Sequence, residues 1–276
     1  MKRIVSVLTV LSLCCAVFAG CAGGDYGKYA SAYNKVTANG GMDADIVLTL
    51  SIDGSSLRNE GNLKQDRSGE KNIVYYEMNV KGKNIIQFSD GDYIYTNIYG
   101  NKIRYPVGGY PPESDSSDDS EAKNGVLFES ETFLNEFASF IASGKLLELD
   151  LFSPIARAAI TNISLSGNTY TLTFSDGLVN QVFTAFVSNK FNDTGEKIIA
   201  VTDLRDFTNT VTVSDGIAVS TKYSGVMTVK VPGHLTESGK DTSYDMDIEI
   251  EADFIDPGSA VNIILPSTDG YKDALS

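Results

Sequence analysis

Five carboxylates alternate with apolar residues near the C-terminal end of the chain, in residues 244–254 (YDMDIEIEADF). They are Asp245, Asp247, Glu249, Glu251 and Asp253. Carboxylates that converge on one point bind metal ions, and a pair in unlike environments can act as general acid and base. Residues two apart in a strand share a face at roughly 6–7 Å, so a straight row does not converge and gives all five acids the same environment. We expect the row to face water, with Lys222 and Lys230 as partners on the neighbouring strand.

Signals for catalysis are weak elsewhere. The one histidine, His234, lies in a Pro/Gly/Ser-rich loop, where a surface position is expected. Ser68 and Lys71 have the S-x-x-K spacing of penicillin-binding enzymes, but they lie at a predicted turn and not at the start of a helix. No glycine-rich phosphate loop follows a strand into a helix, and a zinc site needs more His or Cys ligands. We therefore predict a non-enzymatic protein without catalytic residues, cofactor or metal ion.

An acidic segment, residues 111–125 (PPESDSSDDSEAKNG), is the remaining candidate for a cation site. It lacks the D-x-D-x-D-G spacing and the following glutamate of a calcium-binding loop. Its richness in Pro, Ser and acid favours a solvated loop.

The N-terminus has the pattern of an export signal. Lys2 and Arg3 precede an apolar run, residues 4–18, which is shorter than the roughly 20 residues needed to span a bilayer. Residues 18–21, FAGC, resemble the lipobox of bacterial lipoproteins, with Phe in place of the usual Leu. The resemblance implies cleavage before Cys21 and lipidation of Cys21, so that the chain is tethered to the membrane on its extracytoplasmic side. An ordinary signal peptide with an incidental cysteine is the alternative.

Cysteine count and charge agree with this prediction. Cys14 and Cys15 lie inside the signal, so Cys21 remains alone and cannot form an internal disulfide. Loss of the two basic residues with the signal changes the net charge from −14 to −16. Nucleic acid is therefore excluded as a partner, since phosphate binding needs clustered Lys and Arg.

The periodicity of apolar residues predicts an α+β chain. Residues 26–36 have helical spacing, and six strands follow between Asp45 and Tyr105. Helices are predicted at 133–141, at 154–160, where Pro154 occupies the first helical position, and at 178–187. The later strands include KIIAVTDLRD and FTNTVTVSDG as two separate elements.

These elements predict a curved, mainly antiparallel sheet of about 10–12 strands, an unclosed barrel with helices packed on its concave face. We expect a signal peptide at 1–20, a short tether at 21–25 and a single domain at 26–276.

The order of elements, with the early helix YGKYASAYNKV and the ending FIDPGSAVNIILP, resembles lipoproteins of the lipoprotein-carrier (LolA-like) fold, including mycobacterial lipid-binding lipoproteins. The resemblance implies a pocket for a lipid or other apolar ligand between sheet and helices. Phe183, Phe186, Ile248 and Ile250 are the expected lining residues. Two alternatives are a closed-core structural, sensor or protein-interaction module with an envelope protein as partner, and an unrecognised hydrolase.

Overall fold

The described part of the chain forms twelve strands and a small number of helices. The computed structural model describes residues 24–107, 127–142, 154–181 and 199–274. Its helices are α1 (Asp25–Val36) and α2 (Ser130–Phe140), and residues 176–181 are also helical. The strands are β1 (Gly41–Ile52), β2 (Ser55–Asp66), β3 (Ile73–Val80), β4 (Lys83–Ser89), β5 (Tyr93–Ile98), β6 (Asn101–Pro106), β7 (Ile160–Ser166), β8 (Thr169–Phe174), β9 (Ala200–Ser214), β10 (Ile217–Val231), β11 (Thr242–Phe254) and β12 (Lys272–Asp273).

All twelve strands belong to one sheet, in the order β12-β6-β5-β4-β3-β2-β1-β11-β10-β9-β8-β7. Every neighbouring pair is antiparallel except β12 and β6, which are parallel. β1 and β11 lie side by side, and this pair joins the meander β1–β6 to the meander β7–β11. The two end strands of this order do not pair with each other. The predicted α+β class with an unclosed, mainly antiparallel sheet is confirmed.

Tight turns close hairpins in both meanders. Asp53 and Gly54 join β1 to β2 with φ values of 49° and 77°, and Asp215 and Gly216 join β9 to β10 with 51° and 73°. Two successive residues with positive φ are the requirement of a type I′ hairpin turn, which Asp-Gly satisfies at little cost. The Asp-Gly pairs in the sequence therefore determine where these hairpins close.

Alternation along the strands divides the sheet into two faces. We call the face on which the helices pack the inner face, and the opposite one the outer face. In β1 the side chains of Ile46, Leu48 and Leu50 point to the inner face and are at most 1 % exposed. The inner face of the sheet therefore supplies most of the hydrophobic core.

The two helices cover the inner face at opposite ends of the strands. The buried stripe of α1 includes Tyr29 and Tyr33, and the ring of Tyr33 packs edge-on against Phe254 at the end of β11. α2 buries Phe133 and Phe137 against β1, β2 and β3. The hydroxyl of Tyr99, in the β5–β6 turn, hydrogen-bonds with Ser139 of α2 at 2.6 Å.

Two local predictions are wrong. The stretches KIIAVTDLRD and FTNTVTVSDG form one continuous strand, β9, because Asp203 and Asp206 adopt φ near +54° where the register against β10 shifts. Aspartate tolerates this left-handed conformation and lets the strand continue through a bulge.

The helix predicted at 154–160 is also absent, apart from one 3-10 turn at Arg157–Ala159. The backbone of Ile155 is held by tyrosine hydroxyls of α1. Its N–H donates to Tyr29 Oη at 3.1 Å, and its carbonyl accepts from Tyr26 Oη at 3.2 Å. These two bonds replace the intrahelical ones that Ile155 would otherwise make.

Residues 255–274, here called the C-terminal strap, run from the end of β11 to β6. Gly258 N donates to the carbonyl of Val36 at the end of α1. Val261 packs directly against Gly41, so a Cβ at position 41 would lie only 2.8 Å from Val261. At the far end Arg104 Nε donates to Asp273 Oδ1 at 2.7 Å. The strap thereby links the centre of the sheet to its β6 edge.

The strap also buries an aromatic cluster on the outer face. The rings of Phe88 and Tyr95 stack with centroids 4.7 Å apart, and Tyr271 of the strap packs edge-on against both. Phe88 is 1 % exposed. The outer face is therefore apolar at this position, and Tyr271 shields it from water.

We predict that Tyr271→Ala lowers the free energy of unfolding by about 1–3 kcal/mol, because it uncovers Phe88 and Tyr95. Ile264→Ala, in the same strap but at a side chain that is 86 % exposed, is the matched control. It should change stability by less than about 0.5 kcal/mol. Urea titrations of both variants test this, and equal losses would contradict the shielding role of Tyr271.

Candidate functional site: the inner face of the sheet

One row of cross-strand neighbours runs through the middle of the inner face. It consists, from β2 to β9, of Asn59, Leu48, Ile250, Tyr223 and Asn209. Adjacent strands lie about 4.8 Å apart, so the two asparagines are separated by roughly 19 Å. An apolar stretch between two amides is the central feature of this face.

Both asparagines are buried with an unsatisfied polar atom. Asn59 is 3 % exposed and its Nδ2 has no hydrogen-bond partner; Asn209 is fully buried and its Oδ1 has none. The Oδ1 of Asn135, on the helix α2, is likewise unsatisfied. A buried polar atom without a partner costs about 1–3 kcal/mol and calls for a specific explanation, such as a bound water or ligand.

Ile248 and Ile250, two of the predicted lining residues, do lie on the inner face. They retain 9 % and 7 % of their surface, although β11 is near the centre of the sheet. Their cross-strand neighbours on β1, Leu50 and Leu48, retain none. Some accessible surface therefore remains near the centre of the sheet, beside side chains that retain none.

The other two predicted lining residues, Phe183 and Phe186, lie outside the described residues. The helix predicted at 178–187 begins at Asp176 and is described as far as residue 181. Val179 packs against the core, whereas Leu178 is 47 % exposed. The part that these two phenylalanines play stays a prediction.

Polar groups on the β9 and β10 part of the inner face bond to one another. Asn209 Nδ2 donates to Thr221 Oγ1 at 2.7 Å, and Tyr223 interacts with Thr221 and Tyr33. Burial is the main cause that raises the pKa of Tyr223 well above its usual value. Burial likewise raises the pKa of Tyr29 on α1 and of Tyr76 on β3. These phenols stay neutral at physiological pH.

The buried side chains described on this face are apolar or neutral polar. Among the buried residues that the structure describes, none carries a formal charge. A general acid or base needs an ionisable group with a pKa near the working pH, and the buried phenols have been shifted away from it.

The asparagines were not anticipated from the sequence, although a signal was present. In SSLRNEGNLKQD, Asn59 occupies the same phase as Leu57 and Leu63, which point inward. An asparagine at an apolar phase of a strand marks a buried polar side chain. Asn209 has the same phase as Val211 in β9.

The acidic row lies on the outer face, as predicted. Asp245, Asp247 and Asp253 are exposed, and Glu249 and Glu251 are half-buried. Each of the five alternates with a buried inner-face residue of β11. The row is thus the water-facing side of the strand that supplies Ile248 and Ile250.

The acids do not share one environment, and that expectation is wrong. Lys222 Nζ contacts Glu249 at 2.5 Å and Glu251 at 3.1 Å, as predicted, whereas Lys230 lies opposite Ser243. Asp245 pairs with Arg205 at 2.6 Å. The difference arises because basic residues on β9 and β10 stand beside only some of the acids.

The other residues considered from the sequence do not come together into a site within the described ranges. His234 is exposed in a 3-10 turn, and Ser68 and Lys71 lie in the bend between β2 and β3 without a helix. Within the described ranges, no group of three or more His, Cys, Asp or Glu side chains is placed to hold a metal ion. Cys21 and the acidic loop 111–125 lie outside the described residues. No helix in the described part of the chain is long and apolar enough to cross a membrane.

Comparisons with known proteins concern the fold. No family model and no curated protein matches the chain. Among solved structures, it is similar to the lipoprotein LppX of Mycobacterium tuberculosis, with 9 % identity, a TM-score of 0.40 and coverage of 87 % of this chain and 97 % of LppX. A LolA superfamily protein from Nitrosomonas europaea has 7 % identity, a TM-score of 0.29 and coverage of 83 % and 90 %.

LprF from Mycobacterium bovis gives 7 % identity and a TM-score of 0.33, over 88 % of this chain and 96 % of LprF. The matches thus include a mycobacterial lipoprotein and a LolA superfamily protein, the two groups that the sequence resembles. Because all three TM-scores are below 0.5, the description of the fold rests on the strand order and helix positions given above.

The ion pairs of Lys222 lead to a prediction about pH. Partial burial acts to raise the pKa of Glu251, but the hydrogen bonds with Lys222 and Glu249, together with the positive charge of Lys222, outweigh it and hold this pKa below its usual value. A carboxyl whose pKa is lowered in the folded state stabilises the fold at pH values above its pKa in the unfolded chain, near 4.3. This stabilisation is lost as the pH falls through the pKa of the folded state. Lys222→Met should therefore cost up to about 1 kcal/mol at neutral pH, and this loss should shrink at about pH 3.

Urea unfolding of the wild type and Lys222→Met at both pH values measures the effect. Lys230→Met removes an equal charge from the same face of β10 and serves as the control. A Lys222→Met deficit that is independent of pH, or equal in the control, would show that packing and not the ion pairs is responsible.

Proposed function

We propose that this chain is a membrane-anchored, extracytoplasmic lipoprotein without enzymatic activity, which holds a lipid or another apolar ligand between the inner face and its helices. The accessible surface at Ile248 and Ile250 is the observation that supports ligand binding most directly, because it lies near the centre of the sheet, beside Leu48 and Leu50, which retain none. The anchor is supported by the lipobox-like residues that end at Cys21.

The physical driving force for such binding is the removal of apolar surface from water, about 25 cal/mol per Å². An acyl chain suits the apolar part of the central row, from Leu48 to Ile250. The unsatisfied amide atoms of Asn59 and Asn209 supply a donor and an acceptor. A ligand hydroxyl could bond to either atom, whereas a ligand carbonyl could accept only from Asn59 Nδ2; each such bond recovers the cost of burying the atom.

A second function, a structural or protein-interaction module of the cell envelope, is favoured by a different observation. Leu48, Leu50, Met227 and Met246 are fully buried, which is the packing of a solid core. In that case the surface at Ile248 and Ile250 is a small void, and the partner is an envelope protein that binds elsewhere.

The two functions differ in what residues 24–276 bind after purification. Native mass spectrometry should show a co-purified lipid, and delipidated protein should bind the neutral fluorescent probe N-phenyl-1-naphthylamine. Ile250→Phe fills the space beside Leu48 and should weaken probe binding by about tenfold, which corresponds to about 1.4 kcal/mol.

Val47→Phe is the matched control, because Val47 lies on the outer face of β1, opposite Glu251. It should leave probe binding unchanged. A clean apo mass together with no response to the probe would favour the closed-core module.

The anchor is tested separately in cells. Wild-type protein should be found in the membrane fraction, and Cys21→Ser should release it or leave it as an uncleaved precursor, because the thioether to the lipid cannot form. Cys14→Ser, a change inside the signal, is the control and should behave as the wild type. Wild-type protein in the soluble fraction would instead support an ordinary signal peptide.

A further inference from the structure

The hairpin of β7 and β8 is an uncharged region of an acidic protein. The sequence has no Asp, Glu, Lys, Arg or His between Arg157 and Asp176, whereas the whole chain carries a net charge of −14. β7 lies at the end of the sheet, and most of its residues are exposed. Its Leu165 is an exposed apolar side chain, at 42 %.

This hairpin lies against the N-terminal half of α1. Leu165 is opposite Tyr170 in the register of β7 and β8, and both side chains are on the inner-face side. The ring of Tyr170 packs edge-on against Tyr29 of α1, with centroids 6.2 Å apart. Tyr29 is one helical turn from Asp25, the first residue of α1.

The covalent chain limits how far this region can be from the anchor. Four peptide units separate Cys21 from Asp25, and a fully extended chain of that length spans about 14 Å. A lipid attached to Cys21 therefore holds the start of α1, and with it the β7–β8 hairpin, close to the bilayer surface.

Charge distinguishes this surface from the rest of the sheet. The outer face of β11 carries five acids, which an anionic lipid surface repels. Three charged groups near the hairpin are paired or hydrogen-bonded. Asp25 and Lys28 lie 4.0 Å apart on α1, and Arg157 Nη1 donates to the carbonyl of Ile160 at 2.7 Å.

We propose that the β7–β8 hairpin is the surface that rests on the lipid headgroups, with Leu165 directed at the membrane. This inference depends on the anchor at Cys21 in the proposed function. The contact is at the depth of the headgroups, because the outer edge of β7 has no strand partner in the described chain and its backbone polar groups need water or headgroups as partners. In this orientation the β7 edge of the inner face lies beside the bilayer. An apolar ligand would enter the inner face from the bilayer at this edge.

Single cysteines placed in the full-length, lipidated protein test the orientation. Lipidation of Cys21 leaves the mature chain without another thiol, so Leu165→Cys and Glu237→Cys can each be labelled with an environment-sensitive fluorophore. Glu237 is an exposed residue of the β10–β11 connection, at the opposite end of the strands. The labelled proteins are reconstituted in vesicles of phosphatidylcholine and phosphatidylglycerol that contain a nitroxide-labelled lipid.

The label at position 165 should show a blue shift and a loss of fluorescence through the nitroxide, and the label at 237 should show neither. Asn168→Cys, at an exposed position in the turn between β7 and β8, gives the same readout if Leu165→Cys fails to fold. Equal quenching at the two ends of the strands, or stronger quenching at 237, would overturn the inference. Flotation of the same vesicles identifies the other failure: protein that does not float has no anchor, and both the anchor and the orientation derived from it are then wrong.

Discussion

The antiparallel pairing of β1 with β11 is the interaction on which the rest of the structure depends. It aligns Ala44 with Phe254, from opposite ends of the described chain, and joins two meanders into one sheet. Because side chains alternate with a period of two, a slip of one residue would bring the five acids of β11 to the inner face and Ile248 and Ile250 to water. One register therefore determines both the hydrophobic core and the charge of the outer surface.

The two faces of this pairing have different consequences. On the outer face, repulsion within the acidic row is reduced where Lys222 and Arg205 reach across from β10 and β9. On the inner face, an apolar row ends in buried asparagines whose polar atoms lack partners. Natural cores seldom retain such atoms, and these lie in the same cross-strand row as Ile250, which keeps some accessible surface.

The helices and the strap close the sheet in complementary ways. α1 and α2 cover the inner face at opposite ends of the strands, and the strap shields Phe88 and Tyr95 on the outer face. Tyrosines connect these parts, since Tyr26 and Tyr29 bind the backbone of Ile155 and Tyr99 bonds to Ser139. A helix start so near to Cys21 also means that a lipid anchor would act directly on the packed fold.

The sequence by itself determined the local structure. Alternating apolar residues and Asp-Gly turns predict the strands, their hairpins and the outward direction of Asp247 and Glu249, because these depend on neighbours along the chain. It did not predict that β9 continues through Asp203 and Asp206, or that Pro154 begins no helix. Only the tertiary structure decided these points, as well as the positions of Asn59 and Asn209 in one row, since register and long-range hydrogen bonds join residues that are distant along the chain.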